Sequence, residues 1–184
     1  MKKTILTVLV FVITLVFSNE VNAQNFPKLD KSPMDAAMYP SKSRILDKLV
    51  KVIYSRPHLK KRSLSKLAPN GKIWRTGANE AAEITFYKDV DFGGKTVEAG
   101  TYSMFTIPGD KEWTIILNTA LNVWGAFFYN ESDDVVRVKA KVSKTKKTIK
   151  NFSIVFEGKE NDLIMYLGWD KTIVSLPING KMNK

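Results

Sequence analysis

The sequence predicts an all-β protein: a single-domain β-sandwich or jelly-roll-like fold, preceded by a signal peptide and an extended N-terminal arm. Three observations carry that expectation. Short runs rich in β-branched and aromatic residues follow one another along the chain. Clusters of Pro, Gly, Asn and Asp separate them. One brief stretch alone has helical character. Strands at close spacing with turn signals between them are the pattern of sandwiches and jelly rolls.

The first segment is not part of that domain. Met1-Lys2-Lys3 is a basic start, residues 4–17 are an apolar run, and Val21-Asn22-Ala23 ends in small residues. This is the pattern of a secretory signal peptide, cut after Ala23. The run is shorter than the roughly 20 residues a membrane span needs. The expected product is exported to the periplasm or the extracellular space, with no transmembrane span in the mature chain, 24–184. No cysteine follows the cleavage site, or occurs anywhere in the 184 residues, so lipid attachment there, disulfides, thiol catalysis and thiolate metal sites are excluded. A chain of this size buries enough surface to fold without disulfides.

Residues 24–43 contain Pro27, Pro33 and Pro40 and no clear period, so they read as an arm on the domain surface. Phe26, Leu29, Met34 and Met38 give it apolar side chains with which to dock. The domain proper is expected over 44–178, with 179–184 as a tail. Its strands are expected at 49–55, 82–87, 101–107, 112–118, 134–142, 149–157, 162–169 and 172–178. The strands 101–107 and 112–118 flank Pro108-Gly109-Asp110-Lys111 and form the clearest hairpin. In 134–142, Val136, Val138, Ala140 and Val142 alternate with Val135, Arg137, Lys139 and Lys141, giving one apolar face and one wet face. Gly93-Gly94 marks another turn. Residues 62–68 allow a short helical turn, stopped by Pro69-Asn70-Gly71.

Six segments in order, "LDKSPMDAAMYP" (29–40), "VIYSRPHLKKR" (52–62), "GKIWRTGANEA" (71–81), "AGTYSMFTIP" (99–108), "EWTIILN" (112–118) and "WGAFFY" (124–129), carry a family likeness. The mature chain resembles a family of exported bacterial proteins known only as a domain of unknown function. The resemblance implies a secreted β-rich domain from a Gram-negative bacterium and assigns no activity. Against the family pattern, Tyr54, Ser55, Arg56 and Pro57 match, as do Lys60 and Arg62, while Lys61 replaces a usual glycine. Trp74, Arg75, Gly77, Ala78, Asn79, Glu80 and Ala81 match, and Ala82 stands where threonine is usual. Ala68-Pro69-Asn70-Gly71 replaces a usual Val-Pro-Tyr-Gly. These departures lose a tyrosine and a threonine hydroxyl.

The residues themselves point to one candidate site. Arg56 precedes a proline at the end of a strand, which places it near a sheet rim. Arg75 and Asn79 flank Gly77, which permits a positive-φ turn bringing them toward the strand end that carries Arg56. Guanidinium forks, an amide and an indole face suit a carboxylate, a phosphate or a sugar acid. Arg56, Arg62, Trp74, Arg75, Asn79 and Glu80 are therefore the candidate ligand-binding set. A purely structural reading stands beside it: Arg75 pairs with Glu80, Glu83 or Asp170 and pins a loop, and Trp74 packs in the core. Trp113 is expected in the core, and Trp124 and Trp169 near strand ends, where either could roof a pocket.

Other chemistry finds less support. His58 is the sole histidine, so a histidine-based metal site is not expected and no cofactor is implied. Residues 129–134 match no known calcium loop and read as a polar hairpin. No serine stands in a G-x-S-x-G elbow. A carboxylate-dependent hydrolase using Glu80, Glu83 and Asp170 is the residual catalytic reading, and no catalytic residue is assigned. The lysine-rich stretch 139–150 has no aromatic partner, and export also argues against nucleic acid; the stretch reads as a solvated turn between strands. Signal cleavage removes Lys2, Lys3 and Glu20 and lowers the net charge from +11 to +10. Such a protein can meet an anionic envelope surface. Two readings lead: a non-catalytic binding module for a small anionic or carbohydrate ligand, and a structural or envelope-interaction protein.

Overall fold

A computed structural model describes residues 24–180; the predicted signal peptide and the last four residues of the tail lie outside them. Nine strands form one antiparallel sheet: β1 (Met34–Tyr39), β2 (Val50–Ser55), β3 (Ala82–Phe86), β4 (Val90–Phe92), β5 (Lys95–Val97), β6 (Gly100–Ile107), β7 (Glu112–Asn118), β8 (Asp134–Lys159) and β9 (Asp162–Gly180). Their order is β1-β2-β3-β6-β7-β8-β9-β4-β5. The all-β expectation holds, and the layers that enclose the core are parts of one continuous sheet that curls over itself. No helix among the described residues is long and apolar enough to cross a membrane.

The two long strands make the curl. β8 pairs with β7 up to Lys141 and with β9 from Lys141 onward. Its register with β9 shifts on either side of Ile149, and bulges of this kind bend a ribbon and sharpen its twist. The expected turn at 143–148 is therefore absent, because β8 runs straight through it. The segment looks like a turn in sequence because the ribbon has left the core and is wet on both faces there, as the exposed Lys144, Lys146, Lys147 and Thr148 show. Residues 170–171, read as a break, are likewise inside β9, where Asp170 takes a φ of 55°.

Part of the extended N-terminal arm is built into the sheet. Residues 34–39 form an edge strand, fully in register with β2 from Met34↔Ser55 to Tyr39↔Val50. The docking expected of Phe26 and Leu29 does not occur; they are 83% and 89% exposed.

The main core fills the inside of the curl. Val52, Ile84, Phe86, Phe92, Met104, Ile115, Leu117, Phe152, Met165 and Leu176 are all fully enclosed. Each such side chain contributes about 1.5–3 kcal/mol relative to exposure. An aromatic knot holds one end: Trp74 stacks on Trp169 at 5.4 Å and meets Trp113 and Phe152 edge-on at 6.0 and 5.0 Å. A smaller cluster lies on the other face of β6 and β7, where Phe105 and Ile116 are covered by Val123, Ala126 and Tyr129 of the loop 119–130.

Candidate functional site

The loop between Trp74 and Ala82 is fixed at both ends by main-chain pairing. Trp74 and Thr106 exchange two hydrogen bonds, 2.8 and 2.9 Å, and the Ala82 amide donates to the Arg75 carbonyl at 3.0 Å. Inside it, Thr76 and Asn79 have φ values of 54° and 61°. The positive-φ positions are thus the flanking residues, not Gly77. Glycine is needed at 77 for a different reason: a Cβ there would stand 3.0 Å from the Ser55 carbonyl oxygen. Close backbone approach, rather than handedness, brings the loop to the end of β2.

A second loop, 119–130, seals against the first. The Ala81 amide donates to Val123 O at 2.8 Å and the Gly125 amide to Asn79 O at 2.9 Å. Gly125, at φ 69°, is close to both neighbours it separates: a Cβ would meet the Phe127 ring at 2.9 Å and Arg75 Nη1 at 3.4 Å. The seam therefore gathers the Arg75 guanidinium, the Asn79 main chain and Gly125, flanked by Trp124 and Phe127. Val123, Ala126 and Tyr129 face inward at three-residue spacing, which leaves Trp124, Phe127 and Phe128 outside, 55%, 81% and 77% exposed.

Arg75 is the unusual member. Its Nε is buried without a hydrogen-bond partner. None of the ion pairs expected with Glu80, Glu83 or Asp170 forms: the ion pairs among the described residues join Arg56 to Asp35, Lys88 to Asp47, and Arg137 to Glu131 and Asp134. Burial without a counter-charge pushes the guanidinium below its ordinary pKa.

Arg56, Arg62 and Trp74 go elsewhere. Arg56 donates from Nη1 to Asp35 at 2.8 Å, from Nη2 to Ser153 Oγ at 2.7 Å and from Nε to Phe152 O at 3.1 Å. It lines a cavity of ≈ 470 Å³ between β1 and the second half of β8. Pro57 does not end pairing, since Pro57 O and the Leu59 amide bond to Phe152 and Lys150 of β8. Arg62 donates to the carbonyls of His58 and Leu59 and closes its own turn. Trp74 is 7% exposed and belongs to the aromatic knot. Glu80 and Glu83 line a cavity of ≈ 360 Å³ with Tyr54 and Asn122, three residues apart on one wall, and Glu83 accepts from the Asn122 amide. Asp170 lines a different cavity with Trp113 and Lys144. The carboxylates of the hydrolase reading are thus divided between two sites.

The seam keeps three of the six expected residues, Arg75, Asn79 and Glu80, the last bridged to Trp124 through the main chain, and adds Trp124, whose place near a strand end was the one sequence signal for it. No group of acidic and histidine residues suited to a metal ion occurs among the described residues.

Neither the curated proteins nor the solved structures include a match to this chain. The profile of the family described as Protein of unknown function (DUF2911) matches residues 32–178, from just before β1 to within the last residues of β9. The chain belongs to that family.

Proposed function

We propose that the protein is a non-catalytic binding module that holds a small anionic or sugar-like ligand at the seam of the loops 74–82 and 119–130. The observation that supports this reading is Arg75, a half-buried cation with an orphaned Nε and no carboxylate beside it. Burying a guanidinium without a counter-charge is costly, and a carboxylate, phosphate or sugar acid at its solvent-facing side supplies that charge. The exposed indole of Trp124, next to Gly125 in the seam, offers an apolar face for a ring. Asn79 contributes a side-chain amide from the same turn. On this reading the chain is exported and acts in the periplasm or outside the cell, and the mass of its mature form tests the cut after Ala23.

Thermal unfolding of residues 24–184 against phosphate, short carboxylates and anionic sugars tests the site. A ligand at a hundred times its Kd adds about 2.7 kcal/mol, which shifts the midpoint by roughly 5–10 °C at this size. The shift is expected in wild type and absent in Arg75→Met, with the unliganded variant at least as stable as wild type. No shift with any ligand, and a destabilised variant, would make Arg75 a structural residue.

A further inference from the structure

The aromatic side chains of the loop 119–130 extend past the seam. Phe127 and Phe128 lie almost wholly in solvent beside Trp124 and Leu121, and the loop's own packing uses Val123, Ala126 and Tyr129 instead. Exposed apolar clusters of this kind mark interaction surfaces. Carboxylates outnumber cations around it although the chain is basic, with Arg75 beside Gly125 as a cation in the same seam. Glu80 forms a bridge to Trp124, Glu83 binds the Asn122 amide, and Glu131 and Asp133 make the following turn. The nearby Arg137 is already paired with Glu131 and Asp134.

The chain carries the complement of this patch on another part of its surface. Beyond Lys141, β8 has lost β7 as a neighbour, and the β8–β9 ribbon leaves its outer face uncovered. A hollow of ≈ 460 Å³ opens there, lined by Ile149, Val155, Tyr166, Gly168 and Ile173 together with the polar Ser143, Ser153 and Glu157. The strand beside it carries exposed Lys141, Lys144, Lys146, Lys147 and Lys150. Lys144, Lys146 and Lys147 lie on the stretch of that edge between the β7 pairing, which ends at Lys141, and the pairing with 57–59, which begins at Lys150. Lysines there block strand-to-strand pairing, so docking at this ribbon is face-on.

We infer that the protein self-associates head to tail, with Phe127 and Phe128 of one copy seated in the Ile149/Val155/Tyr166 hollow of a second copy. The acidic rim of the loop then faces the lysines that flank the hollow. Because the two patches differ, the contact is heterologous and builds rings or open chains rather than a closed dimer. The patch adjoins the proposed ligand seam, which Phe127 flanks, but the inference does not require a ligand there: it rests on Phe127, Phe128 and the β8–β9 ribbon.

Sedimentation velocity on residues 24–184 tests it, using wild type, Phe127→Ser/Phe128→Ser and Val155→Glu. All three substituted positions are exposed, so unfolding midpoints are expected to stay at the wild-type value. Wild type is expected to gain mass from low to high micromolar concentration and to lose that gain in high salt. Each variant alone is expected to remain monomeric. Each keeps one intact patch, so their mixture is expected to give a one-to-one complex and nothing larger. Monomeric wild type throughout, association that survives either variant, or a mixture that stays monomeric would overturn the proposal. Flotation with phosphatidylglycerol vesicles is the parallel arm. Vesicle binding that needs Phe127 and Phe128, from a chain that never self-associates, would assign the loop to lipid and overturn it as well.

Discussion

Arg56 and Asp35 meet at 2.8 Å across the β1–β2 pair, and the same guanidinium reaches Phe152 O and Ser153 Oγ on β8. One side chain thus joins the edge of the sheet to the ribbon that curls back over it. The pair is only partly shielded, with side-chain exposures of 33% and 44%, so its Coulomb term is modest. The larger effect is the loss of three hydrogen bonds that join β1 to β8 through this side chain. Arg56→Ala is expected to lower stability by about 2 kcal/mol in urea unfolding. Arg56→Lys recovers a minor part, because a point charge cannot reproduce the fork. Equal stability of wild type and Arg56→Ala would remove the clamp from the account.

Trp74 belongs to the core. Trp74→Ala is expected to cost about 3–5 kcal/mol, the range for emptying a large aromatic site. Trp74→Phe is expected to cost less and to leave affinity for any ligand of the seam unchanged. An affinity loss at wild-type stability would instead restore Trp74 as a ligand wall.

Lys61 has a φ of 64°. A side chain in the left-handed region is strained, and glycine is not. Lys61→Gly is expected to stabilise the chain by about 0.5–1 kcal/mol, read as a higher denaturation midpoint. A lower midpoint would mean that Lys61 makes contacts that outweigh its strain.

Tyr129 is pushed up to about 12, first by burial and then by its hydrogen bond to Asp134, with Arg137 opposing. The folded state thus favours the neutral phenol. Its contribution to stability is complete below the unfolded value near 10 and is lost as pH rises from there toward about 12. Tyr54 and Tyr102 are raised as well. Tyr129→Phe is expected to flatten the alkaline fall in stability between those values. An unchanged alkaline profile would contradict the assignment.

Strand positions were legible where a strand has one buried face. Val136, Val138 and Ala140 alternate with Arg137, Lys139 and Lys141, and β8 begins there as expected. The hairpin of β6 and β7 was legible from its Pro-Gly-Asp turn. Legibility failed where strands carry no such alternation: β1, a proline-flanked edge strand, and the three-residue strands β4 and β5 around Gly93-Gly94. The site was half legible. The loop 74–80 does turn beside Ser55, yet sequence cannot show which cations find internal acceptors. Arg56 finds Asp35, Arg62 finds its own carbonyls, and Arg75 finds none. Trp124 exchanges places with Trp74 because packing, not composition, decides which indole is buried.

The most direct test of the binding seam is a side-chain NMR titration that follows the Nε–Hε signal of Arg75 and the indole signal of Trp124. Phosphate, short carboxylates and sugar acids serve as titrants. Trp124 is the exposed tryptophan of the four, so its signal reports the seam and not the core. The expected result is that Arg75 and Trp124 shift together with a single Kd, while Arg56 and Arg62 stay in place. Silence at Arg75 with every titrant, or shifts at Arg56 in its place, would contradict a ligand site at this seam.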